Sequence, residues 1–244
     1  MSVRIVVIAA LEREVAPLVR GWRVINEGLA AVYRTFENDG VVVVCAGIGS
    51  RAARLTADSA LSCYRPDIVF SAGLAGALTP DLKVGDQFIP ATIVNSATGS
   101  RIATGHGTGV LVSASGVAGP EAKRLLARQY GAVAVDMEAA AVAEVAEKKG
   151  ILFMAVKAIS DEYDFALPEM EQFIHPDGRF LTRKFAAYTL MHPGTWSTVR
   201  KLAANSSQAS GKLSSVLRNL IDAGKWQQSH ADLPPASGGG NRIP

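Results

Sequence analysis

The alternation of apolar strand-like runs with amphipathic helical stretches predicts an α/β fold: a three-layer α/β/α sandwich around a central mixed, largely parallel sheet. Three observations carry that expectation. Residues 5–10, 67–72 and 151–159 are nearly continuous apolar runs, as strands buried on both faces require. Between them lie stretches whose apolar residues recur at helical spacing. The 244 residues, 48% hydrophobic and 19% charged, are sufficient for one domain with a sizeable core.

Each element has a local reason. After the first strand, residues 11–20 place Leu11, Val15, Leu18 and Val19 on one helical face. Residues 31–36 and 41–45 flank Asn38-Asp39-Gly40, a turn sequence that predicts a hairpin. Gly47-Ile48-Gly49-Ser50 then leads into a helix through Cys63, with Ser50 as its expected N-cap. The strand at residues 67–72 ends in Gly73-Leu74-Ala75-Gly76, and residues 85–94 read as strand interrupted at Pro90. Residues 98–109, rich in Gly, Ser and Thr, read as a mobile loop. A strand at 110–113, a helix at 120–130, a strand at 132–135, a helix at 137–149 and the strand at 151–159 follow. Residues 165–180 are mostly loop. Two helical stretches, 181–191 and 195–221, come next, and residues 205–211 would interrupt the second. The domain is expected to span 1–222, with 223–244 a disordered tail carrying Pro-Pro and Gly-Gly-Gly.

Composition narrows the function classes. A net charge of +3, with basic residues scattered over helices, lacks the dense stripe of a nucleic-acid binder. Cys45 and Cys63 read as buried free thiols, and the four histidines are isolated, so no metal site is expected. The chain opens directly on a strand and has no apolar run of membrane-spanning length, which predicts a cytoplasmic protein. There is neither a Gly-x-x-x-x-Gly-Lys loop nor a dinucleotide fingerprint.

Three acids stand out. Asp136-Met137-Glu138-Ala139-Ala140-Ala141 sets a carboxylate at the opening of one helix, and Ser160-Asp161 follows the next strand. The two carboxylates should meet at one end of the sheet, where open α/β proteins bind small molecules. Glu14, after the first strand, belongs to the same end, although Glu12 shares its turn. Each has a plainer reading: Asp161 as a loop or capping residue, Glu138 as an acid favoured by a helix N-terminus, Glu14 as a first-turn acid.

These motifs resemble the 5'-methylthioadenosine/S-adenosylhomocysteine nucleosidases and their purine nucleoside phosphorylase relatives. The resemblance runs over about residues 3–164 and is most specific at 134–161. It implies a purine nucleoside phosphorylase/hydrolase-like fold and cleavage of an adenine nucleoside modified at its 5' position. Asp161 would protonate the purine N7, with Ser160 beside it. Glu138 and Met137 would hold the ribose, Glu14 would activate water, and Gly76 would let a ligand approach the backbone. Water or phosphate would be the nucleophile, with no cofactor. Relatives are homo-oligomers, so a dimer or larger assembly is expected, with a role in methionine salvage.

Three features depart from the pattern. Leu74 replaces a Ser or Thr common in the family, residues 113–118 lack an aromatic to stack on the base, and the C-terminal part differs. His175-Pro176-Asp177-Gly178-Arg179-Phe180 and the helices after His192-Pro193-Gly194 resemble hopanoid-associated phosphorylases, which would act on adenosylhopane. A membrane surface would be a partner only for such a lipid-linked substrate. A catalytically silent nucleoside-binding module is the remaining alternative.

Overall fold

The computed structural model describes residues 4–166 and 170–222. Along the chain, β1 (Ile5–Ala9) leads through a one-turn α1 (Glu12–Val15) to β2 (Arg23–Ile25) and a hairpin of β3 (Arg34–Asn38) and β4 (Val41–Cys45). Helix α2 (Ser50–Tyr64) precedes the long β5 (Ile68–Ala77). Short strands β6 (Gln87–Phe88), β7 (Thr92–Asn95), β8 (Arg101–Ala103) and β9 (Val110–Ser113) follow, then α3 (Pro120–Tyr130), β10 (Ala134–Asp136), α4 (Ala139–Lys149) and β11 (Leu152–Asp161). Helices α5 (Thr182–Met191) and α6 (Trp196–Asp222) come last among the described residues.

One mixed sheet runs β2-β3-β4-β1-β5-β10-β9-β7-β8, with β11 on the other side of β5 and β6 beyond it. It is parallel at its centre, where β1 pairs β4 and β5 and β11 pairs β5, and antiparallel toward its edges. Strand alternation sorts β1 between two layers. Ile5, Val7 and Ala9 meet Val15 of α1 and Ala209, Leu213 and Leu217 of α6. Val6 and Ile8 face the opposite way, onto Ala53, Ala57 and Leu61 of α2 and Ala141, Val142 and Val145 of α4. The alanine faces of α2 and α4 bring both helices close to the sheet. The hairpin turns at Asp39 and Gly40, both at positive φ (43° and 77°), as a two-residue turn of this twist demands.

Several expectations need correction. The helix expected over 11–20 is only α1, because Pro17 has no N–H and clashes with the carbonyl four residues back. Gly49, not Ser50, is the N-cap of α2. Strand β5 runs through Gly73–Gly76 rather than ending before them, since both flanks are paired. Within 98–109 the chain forms β8, which pairs β7 and packs Ile102 onto the core. Helix α6 is continuous through 205–211, because packing of the buried Ala209, Ser210, Leu213 and Leu217 outweighs weak local propensity. Cys63 is exposed and Cys45 only half-buried; desolvation, with Glu12 and Glu14 nearby, pushes the Cys45 thiol up to about 12. The expected tail at 223–244, and Pro168 of the 165–180 loop, lie outside the described residues. No described helix is long and apolar enough to cross a membrane.

Candidate active site

The C-terminal ends of β1, β5, β10 and β11 converge on a cavity of about 580 Å³. Its lining includes Glu14, Gly76, Met137, Glu138, Ser160 and Asp161, so the structure brings all the residues singled out in the sequence to one place. β1, β5 and β11 are parallel and leave the sheet on the same side, while β10 runs antiparallel to the end of β5 and brings Asp136 back beside it.

At one end of the cavity is a buried charge cluster. Lys157, from the middle of β11, is 1% exposed and bonds Asp136 Oδ2 at 2.8 Å. Asp136 also accepts Ser113 Oγ at 2.5 Å and the Ala139 amide at 2.9 Å, while Ser113 Oγ accepts the Ala140 amide. Asp136 and Ser113 therefore satisfy the first turn of α4, a role the sequence had assigned to Glu138 as its plainer reading. Glu138 instead accepts the Gly49 amide at 2.7 Å, at the N-terminus of α2, and the Met137 amide at 3.3 Å. The anion held by the Gly47–Ile48–Gly49 turn is thus the chain's own Glu138 carboxylate. Burial and the neighbouring Asp136 raise its carboxyl to about 7, with Lys157 opposing.

Glu14 completes the cluster. A Cβ placed on Gly73 would lie 3.1 Å from Glu14 Oε2 and 3.6 Å from Lys157 Nζ, so both groups crowd the same glycine. Glu14 Oε2 is buried and makes no protein hydrogen bond. Desolvation first, then Glu138, raises this carboxyl to about 8, while Lys157 and Arg13 pull it down. A carboxyl raised to about 8, with one unpartnered oxygen, on a residue that lines the cavity is suited to take a proton from water. Glu12 lies outside the cluster, exposed, and bonds Arg34.

Asp161 occupies the other end. It is the last residue of β11 rather than a loop residue beyond it, and the register against β5 slips between Ile159 and Asp161. This bulge inserts Ser160, which donates to Asp161 Oδ1 at 2.7 Å. Lys123 of α3, 1% exposed, forms an ion pair with Asp161 Oδ2 and donates to the Glu162 carbonyl at 2.7 Å. Gly76 sits under the pair: a Cβ there would meet Asp161 Oδ2 at 2.8 Å and Lys123 Cε at 3.1 Å. The absence of a side chain at Gly76 is thus needed for this internal packing, besides any ligand.

The cavity wall is mostly apolar. Leu11, Ile48, Leu74 and Met137 line it, as do Ile174, Phe180, Phe185, Val199 and Leu202 from the C-terminal part of the chain. Phe180 arrives through a loop seated on the 47–49 turn, where Ile48 N donates to Gly178 O at 2.8 Å. At Gly178 (φ 87°) a Cβ would lie 2.8 Å from both Ala52 Cβ and Ile48 O. Arg13 stacks over the Phe180 ring, 4.9 Å from its centroid.

Sequence reasoning missed Lys157, Lys123, Asp136 and Phe180 as site residues. Two left a signal. Lys157 is the lone charge inside an apolar strand, and Lys123 shares its helical face with Leu126, Ala127 and Tyr130, which face the core. For Asp136 and Phe180 nothing local was informative, since their partners are remote in sequence.

Comparison with known proteins gives a consistent picture. The phosphorylase superfamily model matches residues 4–110 and 102–184. The 5'-methylthioadenosine/S-adenosylhomocysteine nucleosidase of Actinobacillus succinogenes is 32% identical over 51% of this chain and 69% of its own. That of Marinomonas sp. is 31% identical over 63% and 84%, respectively. Among solved structures, the Arabidopsis thaliana 5'-methylthioadenosine nucleosidase shares the fold at TM-score 0.70 and 18% identity, covering 91% of this chain and 96% of its own. The Helicobacter pylori futalosine hydrolase does so at TM-score 0.67 and 20% identity, covering 91% and 98%.

Proposed function

The chain belongs to the phosphorylase superfamily, and on that premise we propose that it hydrolyses the N-glycosidic bond of an adenine nucleoside modified at its 5' position, releasing adenine. Adenine is a poor anionic leaving group, and the sugar gains positive charge as the bond breaks. The site needs a proton for the base, carboxylates around the sugar and a nucleophile on the opposite face. Asp161 delivers the proton at the base, steadied by Ser160. Glu138 accepts from the ribose hydroxyls and Met137 packs on the sugar. Glu14 takes the proton of the attacking water. The developing cation is stabilised by the carboxylates of the Lys157 cluster, fixed in place before the reaction.

The observation that carries hydrolysis rather than phosphorolysis is the charge of that cluster. Glu14, Asp136 and Glu138 surround one buried ammonium, Lys157. A phosphate dianion there would add negative charge to an excess of carboxyls, whereas water adds none.

A second reading concerns the 5' substituent. The apolar wall of Ile174, Phe180, Phe185, Val199 and Leu202 supports a bulky apolar group over a methylthio group. Adenosylhopane, the substrate implied by the resemblance to the hopanoid-associated phosphorylases, is of that kind. Adenine release from 5'-methylthioadenosine, S-adenosylhomocysteine and adenosylhopane, followed side by side, separates the two. A higher kcat/KM on the compact nucleosides supports the first reading, and a preference for adenosylhopane supports the second. Adenine release from none of them overturns the adenine nucleosidase assignment.

A further inference from the structure

Both oxygens of Asp161 are occupied by donors: Oδ1 by the Ser160 hydroxyl and Oδ2 by the Lys123 ammonium. The Lys123 ammonium is thus the proton-bearing partner of the ion pair with Asp161. Asp161 nevertheless lines the cavity where a leaving base has to be protonated. Lys123 is anchored from a separate element, α3, and also donates to the Glu162 carbonyl, which cannot give a proton back. Lys123 is 1% exposed and pressed against Gly76, and Asp161 is 5% exposed, so the pair meets solvent only through the cavity it lines. In such a buried site an ion pair and its neutral form lie closer in energy than in water.

We infer that Lys123 is the positioning residue that supplies the leaving-group proton through Asp161. The inference rests on the purine nucleosidase reading of the site. An N–H bond of Lys123 breaks as an O–H bond forms on Asp161. That O–H then breaks as N7–H forms on the base. The C1'–N9 bond breaks with its electron pair going to the base, and water oxygen bonds to C1' while its proton goes to Glu14. Lys123 is left as an amine and Glu14 as an acid. Once products leave and solvent enters, the Glu14 proton is lost and Lys123 is recharged.

Lys123→Met and Lys123→Arg test this, with thermal unfolding as the check that each folds. The first readout is turnover of an adenine nucleoside against a 4-nitrophenyl riboside with the same 5' group, whose aglycone leaves without protonation. Lys123→Met is expected to lose kcat by about 100-fold or more on the adenine nucleoside and only a few-fold on the nitrophenyl riboside. Lys123→Arg keeps the charge but holds its protons too tightly to release one, so the same split is expected. Equal losses on both substrates, or full rescue by Arg, would overturn the proposal.

The second readout needs no turnover. The N7–H of 9-deazaadenine donates to an ionised Asp161, whereas adenine N7 must accept. Lys123→Met leaves a buried carboxyl without a counter-ion, so its affinity for 9-deazaadenine relative to adenine is expected to drop at least about tenfold, while Lys123→Arg keeps the preference. An unchanged ratio, or no binding of either base by the wild-type chain, would contradict the role of Lys123. If the wild-type chain releases no adenine from any nucleoside, the functional assignment fails, and the binding ratio still decides the role of Lys123.

Discussion

Lys157 and Lys123 are each about 1% exposed and each is ion-paired with an aspartate, yet the two lysines stand in opposite charge environments. Around Lys157, Asp136, Glu138 and Glu14 compete for one ammonium; burial first, then the neighbouring carboxyls, raise Glu138 to about 7 and Glu14 to about 8. Lys123 meets a single side-chain carboxylate, and the Glu162 backbone carbonyl accepts a second N–H from it. The ratio of charges, rather than the residue types, sets the chemistry at each end. In the proposed reaction the crowded carboxyls supply a base, Glu14, raised to about 8, and negative charge for the developing cation. In the same proposal the matched pair of Lys123 and Asp161 supplies the proton to the leaving group.

The comparison is broken most severely at Lys157. Lys157→Met removes the one cation that Asp136, Glu138 and Glu14 share, and uncompensated buried charge of this kind costs about 3–5 kcal/mol. A fall of that size in the free energy of unfolding by denaturant, with loss of turnover, is the expected result. A variant as stable as wild type would mean that the carboxyls are already neutral.

A smaller effect, opposite in sign, is expected at Glu14. Folding raises its carboxyl from 4.5 to about 8, so the native state binds a proton that the unfolded state releases between those values. For this group stability is greatest below about pH 4.5 and falls as pH rises through 8. Glu14→Gln cannot ionise, so it should gain on the order of 3 kcal/mol over wild type at pH 8 relative to pH 4.5. Denaturant unfolding at the two pH values measures this. A pH-independent difference would show that Glu14 has an ordinary carboxyl.

Periodicity was enough to read the layers. The apolar runs of β1, β5 and β11 and the alanine-rich faces of α2 and α4 encode their own burial. It failed where distant partners decide: β8 is a strand because β7 offers an edge, and α6 crosses 205–211 because the sheet covers Ala209 and Leu213. In the site, Glu14, Glu138 and Asp161 were legible as acids near strand ends. Their partners were not, because Gly49 and Lys123 reach Glu138 and Asp161 only through the fold. The same holds for Gly76, whose neighbours are Asp161 and Lys123 from two other elements.

The most direct test of the account is adenine release from 5'-methylthioadenosine by the wild-type chain and Glu14→Gln, each in phosphate-free buffer and with added phosphate. Wild-type turnover independent of phosphate, reduced about 100-fold or more in Glu14→Gln, is the expected result. Turnover by wild type only when phosphate is present would contradict hydrolysis at the carboxyl-rich end and make phosphate the nucleophile.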